Sequence, residues 1–269
     1  MQADMPGLLI LDPPQSGEIN MAVDEALLKN AISDGPVVMR IYQWDRPTLS
    51  LGHFQRLEDR DSNPLIAKLP WVRRKTGGGA IVHDLELTYS IVIPNRIDQP
   101  TKGHSESLYR AIHLSLVENL RSLGWDAKLS ETCTCSMSAS REPEPFLCFL
   151  RRSPVDILVN GDKMVGSAQR RSATGLLQHG SFLLRRSQST PELCGLLDAT
   201  ADLISVGQEN LRRKNSFDVS SAVDGWIDFL VQALQAGLRK NLRVDWRLGT
   251  LGDLCKIAWE RTGSRPEQR

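Results

Sequence analysis

The chain has 269 residues, 33 Lys and Arg against 32 Asp and Glu, a net charge of +1 and 41% hydrophobic residues. This is the balance of an ordinary globular protein of one large or two small domains. It excludes the cationic excess with which a nucleic-acid binder faces phosphates.

The opening stretch, MQADMPGLLILDPP, has no cationic leader and only a short apolar run, which argues against a signal peptide. No stretch approaches the roughly 18 apolar residues that span a bilayer. The five cysteines are odd in number and irregularly spaced. That speaks against a disulfide framework and for a reducing, cytoplasmic compartment.

In chain order, residues 8–11 read as a strand. Ile19, Val23, Ala26, Leu27 and Ala31 then fall on one helical face, predicting a helix over 18–33 that stops before Gly35-Pro36. Residues 37–44 and 48–51 read as strands, and 71–93 as strands around a glycine-rich turn. Leu108, Ile112, Leu116 and Leu120 mark a second helix over 105–123, ended by Gly124. Residues 130–145 are small, polar and proline-bearing, as in a loop or insert. Asn160-Gly161-Asp162 between extended runs signals a hairpin. Residues 176–184 form a further strand, Pro191 opens a short helix, and Ile227, Leu230, Val231, Leu234 and Leu238 mark another. A last helix falls near 251–260, with a frayed tail after Gly263. The expected class is α+β, a mixed, largely antiparallel sheet flanked by helices. One catalytic domain would cover 1–245, and a C-terminal helix and tail 246–269.

Three segments carry candidate chemistry. In RRKTGGGAIVHD, Gly77, Gly78 and Gly79 cost backbone entropy. Such a run serves where a backbone approaches a ligand closely, and Arg73 beside it suits a phosphate or carboxylate. The alternative is a plain flexible turn. Neither a P-loop nor a dinucleotide fingerprint is present. In NGDKMVGSAQRR, Lys163 opens the second hairpin strand and is followed by the small residues Gly166, Ser167 and Ala168, then Gln169. Lys163 alone also fits a solvated surface. His179-Gly180 lies within an apolar strand, where a histidine more often serves structure than catalysis, and His83 carries the same ambiguity.

Taken in this order, RRxTGGGxxxHD, GxKxxGSAQRR and HGSFLL resemble the lipoate–protein ligase and octanoyltransferase family, a distant relative of biotin–protein ligases. NMAVDEALL and YQWDRPTLSLGHFQ resemble it too, so the likeness covers roughly residues 8–185. The resemblance implies a biotin/lipoate-ligase-like fold. It implies that Arg73, Thr76, Gly77, Gly78, Gly79 and His83 line an acyl pocket and that Lys163 holds the acyl carbonyl. Gly166, Ser167, Ala168 and Gln169 would line the opposite wall, with His179 and Gly180 close by.

That family holds two chemistries. A ligase makes an acyl-adenylate from ATP, usually with Mg2+. A transferase passes octanoyl from acyl carrier protein through a cysteine thioester and needs a nucleophile. Cys148, in PFLCF ahead of the hairpin, resembles the Cys-Phe motif of the LipM-type octanoyltransferases, as does ELTYS at 86–90. Arg151, Arg152 and Lys163 are candidate cations for its thiolate. Gly79 points the other way, since a third glycine is more typical of ligases. The resulting expectation is a cytoplasmic octanoyl or lipoyl transferase with Cys148 and Lys163 catalytic. It has no cofactor and no metal, acyl carrier protein as donor, and a lipoyl domain or glycine-cleavage H protein as acceptor. It binds no nucleic acid and no membrane. The alternatives are an ATP-dependent lipoate–protein ligase and a non-catalytic acyl- or carrier-binding protein. Cys133 and Cys135 form a weak zinc pattern and read as an idiosyncratic loop. Arginine doublets suit an acidic partner or plain solubility.

Overall fold

A computed structural model describes residues 5–95, 105–130, 144–198, 219–239 and 242–254. Its strands are β1 (Met5–Leu11), β2 (Val37–Tyr42), β3 (Thr48–Leu51), β4 (Trp71–Arg73), β5 (Ile81–His83), β6 (Glu86–Pro94), β7 (Ala127–Leu129), β8 (Ile157–Val159), β9 (Asp162–Arg171), β10 (Gly175–Leu183) and β11 (Val244–Leu248). The helices are α1 (Gly17–Lys29), α2 (Ser105–Ser122) and α3 (Val219–Arg239).

The main sheet runs β11-β1-β2-β6-β10-β9-β8-β7, and a small one runs β4-β3-β5. In the main sheet only β1 pairs in parallel, with β11 and β2; all other neighbours are antiparallel. The fold is therefore α+β with a mixed, largely antiparallel sheet. β11 has no counterpart in the sequence reading; the last helix was expected near 251–260, and its described residues are helical. Only 251–254 of that helix are described.

Side-chain alternation gives the sheet two unlike faces. Val37, Met39 and Ile41 of β2 and Leu87, Tyr89, Ile91 and Ile93 of β6 pack with Leu108, Ile112, Leu116 and Leu120 of α2 and Leu230, Leu234 and Leu238 of α3 in one core. The apolar stripes read for α2 and α3 are thus the buried ones. The opposite face carries Arg40, Thr88, Ser90, His179 and Ser181, all buried. A polar layer of this kind persists only if its members bond one another, and α1 closes over it.

The sequence reading misassigned α1. The helix ends at Lys29 rather than residue 33, because Asn30 caps it, giving both its backbone N–H and its side-chain amide to the Ala26 carbonyl. Its buried residues are Gly17, Asn20, Asp24 and Leu28, while Ile19 is 49% exposed. The i, i+4 pattern was right in period but wrong in face: Asn20 and Asp24 turn inward to meet Arg40. Pro191 lies in a turn in which the Leu193 N–H reaches the Thr190 carbonyl; helical residues begin at 196.

The hairpin has the expected form. Val159 pairs with Asp162 across the two-residue turn Asn160-Gly161, whose φ angles of 52° and 92° are left-handed. Most of the 130–145 insert, with Cys133 and Cys135, lies outside the described residues.

Candidate active site

Cys148 is fixed by backbone. The Ala80 N–H donates to the Phe146 carbonyl (3.0 Å) and the Cys148 N–H to the Ala80 carbonyl (2.7 Å). The cysteine segment is thereby stitched alongside the residue that follows the glycine run. Cys148 then opens a 3-10 turn over Cys148–Leu150. The close approach requires glycine at 79: a Cβ there would lie 2.9 Å from Cys148 Cα, Cys148 N and Arg151 Nε. The third glycine, which by itself suggested the ligase branch, thus has a local steric reason that involves the cysteine.

Lys163, the second residue of β9, is buried and reaches the same turn. Its Nζ lies 3.7 Å from Cys148 Sγ and donates to the carbonyls of Cys148 (3.1 Å) and Arg151 (3.4 Å). Asp156 Oδ2 pairs with it at 2.8 Å. Burial pushes the Asp156 carboxyl up from its ordinary value, and Lys163 pulls against that. Gly166 leaves room for the lysine end, since a Cβ there would sit 2.9 Å from Lys163 Cε.

Cys148 lines a small cavity of about 50 Å³ that opens to solvent. Of the residues expected in a pocket, Gly77, Gly78, His83, Gly166, Ser167, Ala168, His179 and Gly180 line it. Gly78 adopts φ 90°, which glycine alone takes freely. Thr76 stands behind this lining, its Oγ1 2.7 Å from His179 Nε2.

Two expected residues lie elsewhere. The Gln169 side chain runs along the sheet and donates to Gln178 Oε1 (2.8 Å). Arg73 points away and donates to the carbonyls of Gly52, His53 and Gln55. The next residue, Arg74, takes the inner place. Exposed and buried residues alternate from Trp71 to Thr76, so the second arginine of the doublet points inward. Period-two alternation could have told the pair apart. Arg74 donates to the Ser50 carbonyl and Oγ and to the carbonyls of Gly77 and Gly79, holding the glycine turn. Burial lowers it to about 10, against the pull of Cys148, so it is cationic at neutral pH. Arg151 and Arg152 turn elsewhere, to Glu144 with Pro145 and to Gly161.

Asp24, missed in the sequence, anchors the polar layer. Its Oδ1 accepts from Arg40 (3.1 Å) and Ser90 (2.8 Å), and its Oδ2 from Tyr42 (2.9 Å). Oδ2 also lies 3.5 Å from His179 Nδ1. Burial pushes Asp24 up, but His179, Arg40 and Ser90 together hold it below the ordinary carboxylate value. His83 contacts Glu86 (2.9 Å) and Ser50 (2.6 Å) and stacks on Trp44 at 3.9 Å. On the far wall, Ser167 Oγ bonds Tyr89 (2.6 Å) and His113 (2.7 Å).

Among the described residues, no group of three or more His, Cys, Asp and Glu is placed to hold a metal ion. Nor is any helix among them long and apolar enough to cross a membrane.

Comparison with known proteins gives the family and the fold. A family model described as "Lipoyl protein ligase A/B catalytic domain" matches residues 16–234. The chain is 41% identical to an octanoyltransferase LipM of Kyrpidia tusciae, over 63% of this chain and 62% of that one, just under two thirds of the relative's length. It is 32% identical to an octanoyltransferase LipM of Lysinibacillus sphaericus, over 88% of this chain and 87% of that one. A T. acidophilum protein solved with bound lipoic acid shares the fold, with a TM-score of 0.63 and 22% identity over 96% of each chain.

Proposed function

Because the chain belongs to the lipoyl protein ligase A/B catalytic-domain family, we propose that it is an octanoyltransferase of protein lipoylation that works through a Cys148 thioester. The observation that carries this reading is that Cys148 lines the cavity with its Sγ 3.7 Å from a buried lysine. An acyl-adenylate ligase has no use for a nucleophilic sulfur there. The relatives named octanoyltransferase support the same reading.

Octanoyl passes from the thioester of acyl carrier protein to the Cys148 thiolate, with the pantetheine thiolate leaving. The amine of a lysine on a lipoyl domain or H-type protein then attacks, giving an amide and freeing Cys148. Lys163 Nζ stands 3.7 Å from the sulfur, and the buried Arg74 guanidinium interacts with it electrostatically. Lys163, with backbone N–H groups of the glycine turn, stabilises the charge that develops on the carbonyl oxygen. Thr76, His83, Ser167 and Ala168 shape the pocket around the chain.

The test is transfer of octanoyl from acyl carrier protein to a lipoyl domain with ATP withheld and then added. Transfer without ATP that Cys148→Ala abolishes supports the proposal. Transfer that needs ATP and survives Cys148→Ala refutes it in favour of a lipoate–protein ligase.

A further inference from the structure

The second half of this reaction needs a base. A lysine amine is ordinarily protonated at neutral pH, since its usual pKa is about 10.4, and the ammonium has no lone pair. Lys163 is poorly placed to take the proton. It is itself held by the Asp156 carboxylate and by the Cys148 and Arg151 carbonyls, all acceptors for an ammonium.

Among the described residues, three histidines stand near the cavity. His83 is spoken for: Glu86 and Ser50 hold its two nitrogens, and the same Ser50 oxygen takes a bond from Arg74. A second positive charge there would face a buried guanidinium. His113 is also fully engaged, by the Val155 carbonyl and Ser167. His179 repeats the carboxylate–imidazole–hydroxyl arrangement of His83, its Nδ1 facing Asp24 and its Nε2 2.7 Å from Thr76 Oγ1, whereas the hydroxyl on His83 also takes the Arg74 bond. With Nδ1–H directed at the carboxylate, Nε2 presents a lone pair, and the Thr76 hydroxyl is the proton donor that now fills it. A carboxylate that orients a histidine and balances its charge is the logic of catalytic triads.

His179 also stands at a junction. It lines the cavity that holds Cys148, and it lines a second groove between α1 and the β9–β10 turn that runs to the surface past Glu25, Lys75, Arg170 and Thr174. His179 and Met21 line both, so a histidine stands between this groove and the cavity that holds Cys148.

We infer that His179, backed by Asp24, accepts the proton of the acceptor ammonium and so acts as general base in the aminolysis step. The inference rests on the transferase reading above. The ammonium gives one proton to His179 Nε2, directly or through the Thr76 hydroxyl. The free amine adds to the thioester carbonyl, the C–S bond breaks, and the second nitrogen proton goes to the departing Cys148 sulfur. The imidazolium is matched by Asp24, which Arg40, Ser90 and Tyr42 hold in place. The other charged groups around His179 are His83 from β5, Arg74 of the glycine turn and, along the groove, Glu25, Lys29, Arg73, Lys75 and Arg170.

The experiment separates the two half-reactions. Wild type, His179→Gln and Asp24→Asn are charged with octanoyl from octanoyl-acyl carrier protein, and the acyl-enzymes are then mixed with a lipoyl domain in single turnover across pH. Charging is expected to fall less than discharge in both variants, and the ratio of the two losses is the readout. Discharge is expected to fall about 100-fold in His179→Gln at neutral pH, the usual scale of a lost general base. It should fall less in Asp24→Asn, with the deficit shrinking as rising pH frees the amine. Added imidazole should partly restore discharge in His179→Ala, which keeps the test decisive if the glutamine folds poorly. Discharge at the wild-type rate, or equal losses in both half-reactions at every pH, overturns the inference. Failure of wild type to accept octanoyl overturns the transferase reading, and this inference falls with it.

Discussion

Gly79 and Cys148 are packed so closely that a single methyl group at 79 would lie 2.9 Å from the cysteine's Cα and N. Backbone cannot yield as a side chain can, so Gly79→Ala must shift the cysteine turn. Overpacking of this kind costs about 1–3 kcal/mol. A displacement near 1 Å at a reacting atom costs roughly 100-fold in rate. Gly77→Ala is the control: nothing lies within 4 Å of its Cβ position, so stability should change by less than about 0.5 kcal/mol. Thermal melts and octanoyl-transfer rates of the two variants check this, and a Gly79→Ala enzyme as fast as wild type would refute it.

The Lys163–Asp156 pair should behave as a coupled unit. Each side chain is about 3% exposed and each faces the other at 2.8 Å. Removing one partner strands a buried charge, at about 3–5 kcal/mol. Asp156→Asn and Lys163→Met should each lower the urea midpoint strongly. The double variant should lose much less than the sum of the two. Strict additivity would show that the pair is not coupled.

His113 should make stability depend on pH. Its burial beneath the pocket wall pushes it down to about 4, from an ordinary value of 6.5. Between those values the unfolded chain binds a proton that the folded chain does not. Folding stability contributed here is therefore complete above pH 6.5 and lost as pH falls toward 4. The loss amounts to about 3 kcal/mol over the interval. Denaturation midpoints from pH 7 to 4 should show this slope, and His113→Gln should flatten it. An unchanged slope in the variant would assign the effect to other groups.

What could be read from the sequence was local. The Asn160-Gly161 turn, the α2 stripe and the glycine run each announce themselves within a few residues, and each stands where it was expected. Cys148 and Lys163 were picked out by motif, and the structure brings them into contact. The losses came where tertiary partners override local pattern. Apolar periodicity chose the wrong face of α1, because Arg40 draws Asn20 and Asp24 inward. Arg73 was preferred over Arg74, although alternation from Trp71 to Thr76 sends the second arginine inside. The Asp24–His179 contact joins α1 to β10, and no spacing rule links residues so far apart. β11 was missed because a short, half-exposed strand declares itself only by pairing with β1.

The central claim is that Cys148 carries the acyl group. Its most direct test is the intact mass of the protein after incubation with octanoyl-acyl carrier protein in the absence of ATP. The account predicts one added octanoyl group, located on Cys148 by peptide mapping, lost on addition of a lipoyl domain and absent from Cys148→Ala. A protein that gains no octanoyl group, yet modifies the lipoyl domain when ATP and lipoate are supplied, would contradict it.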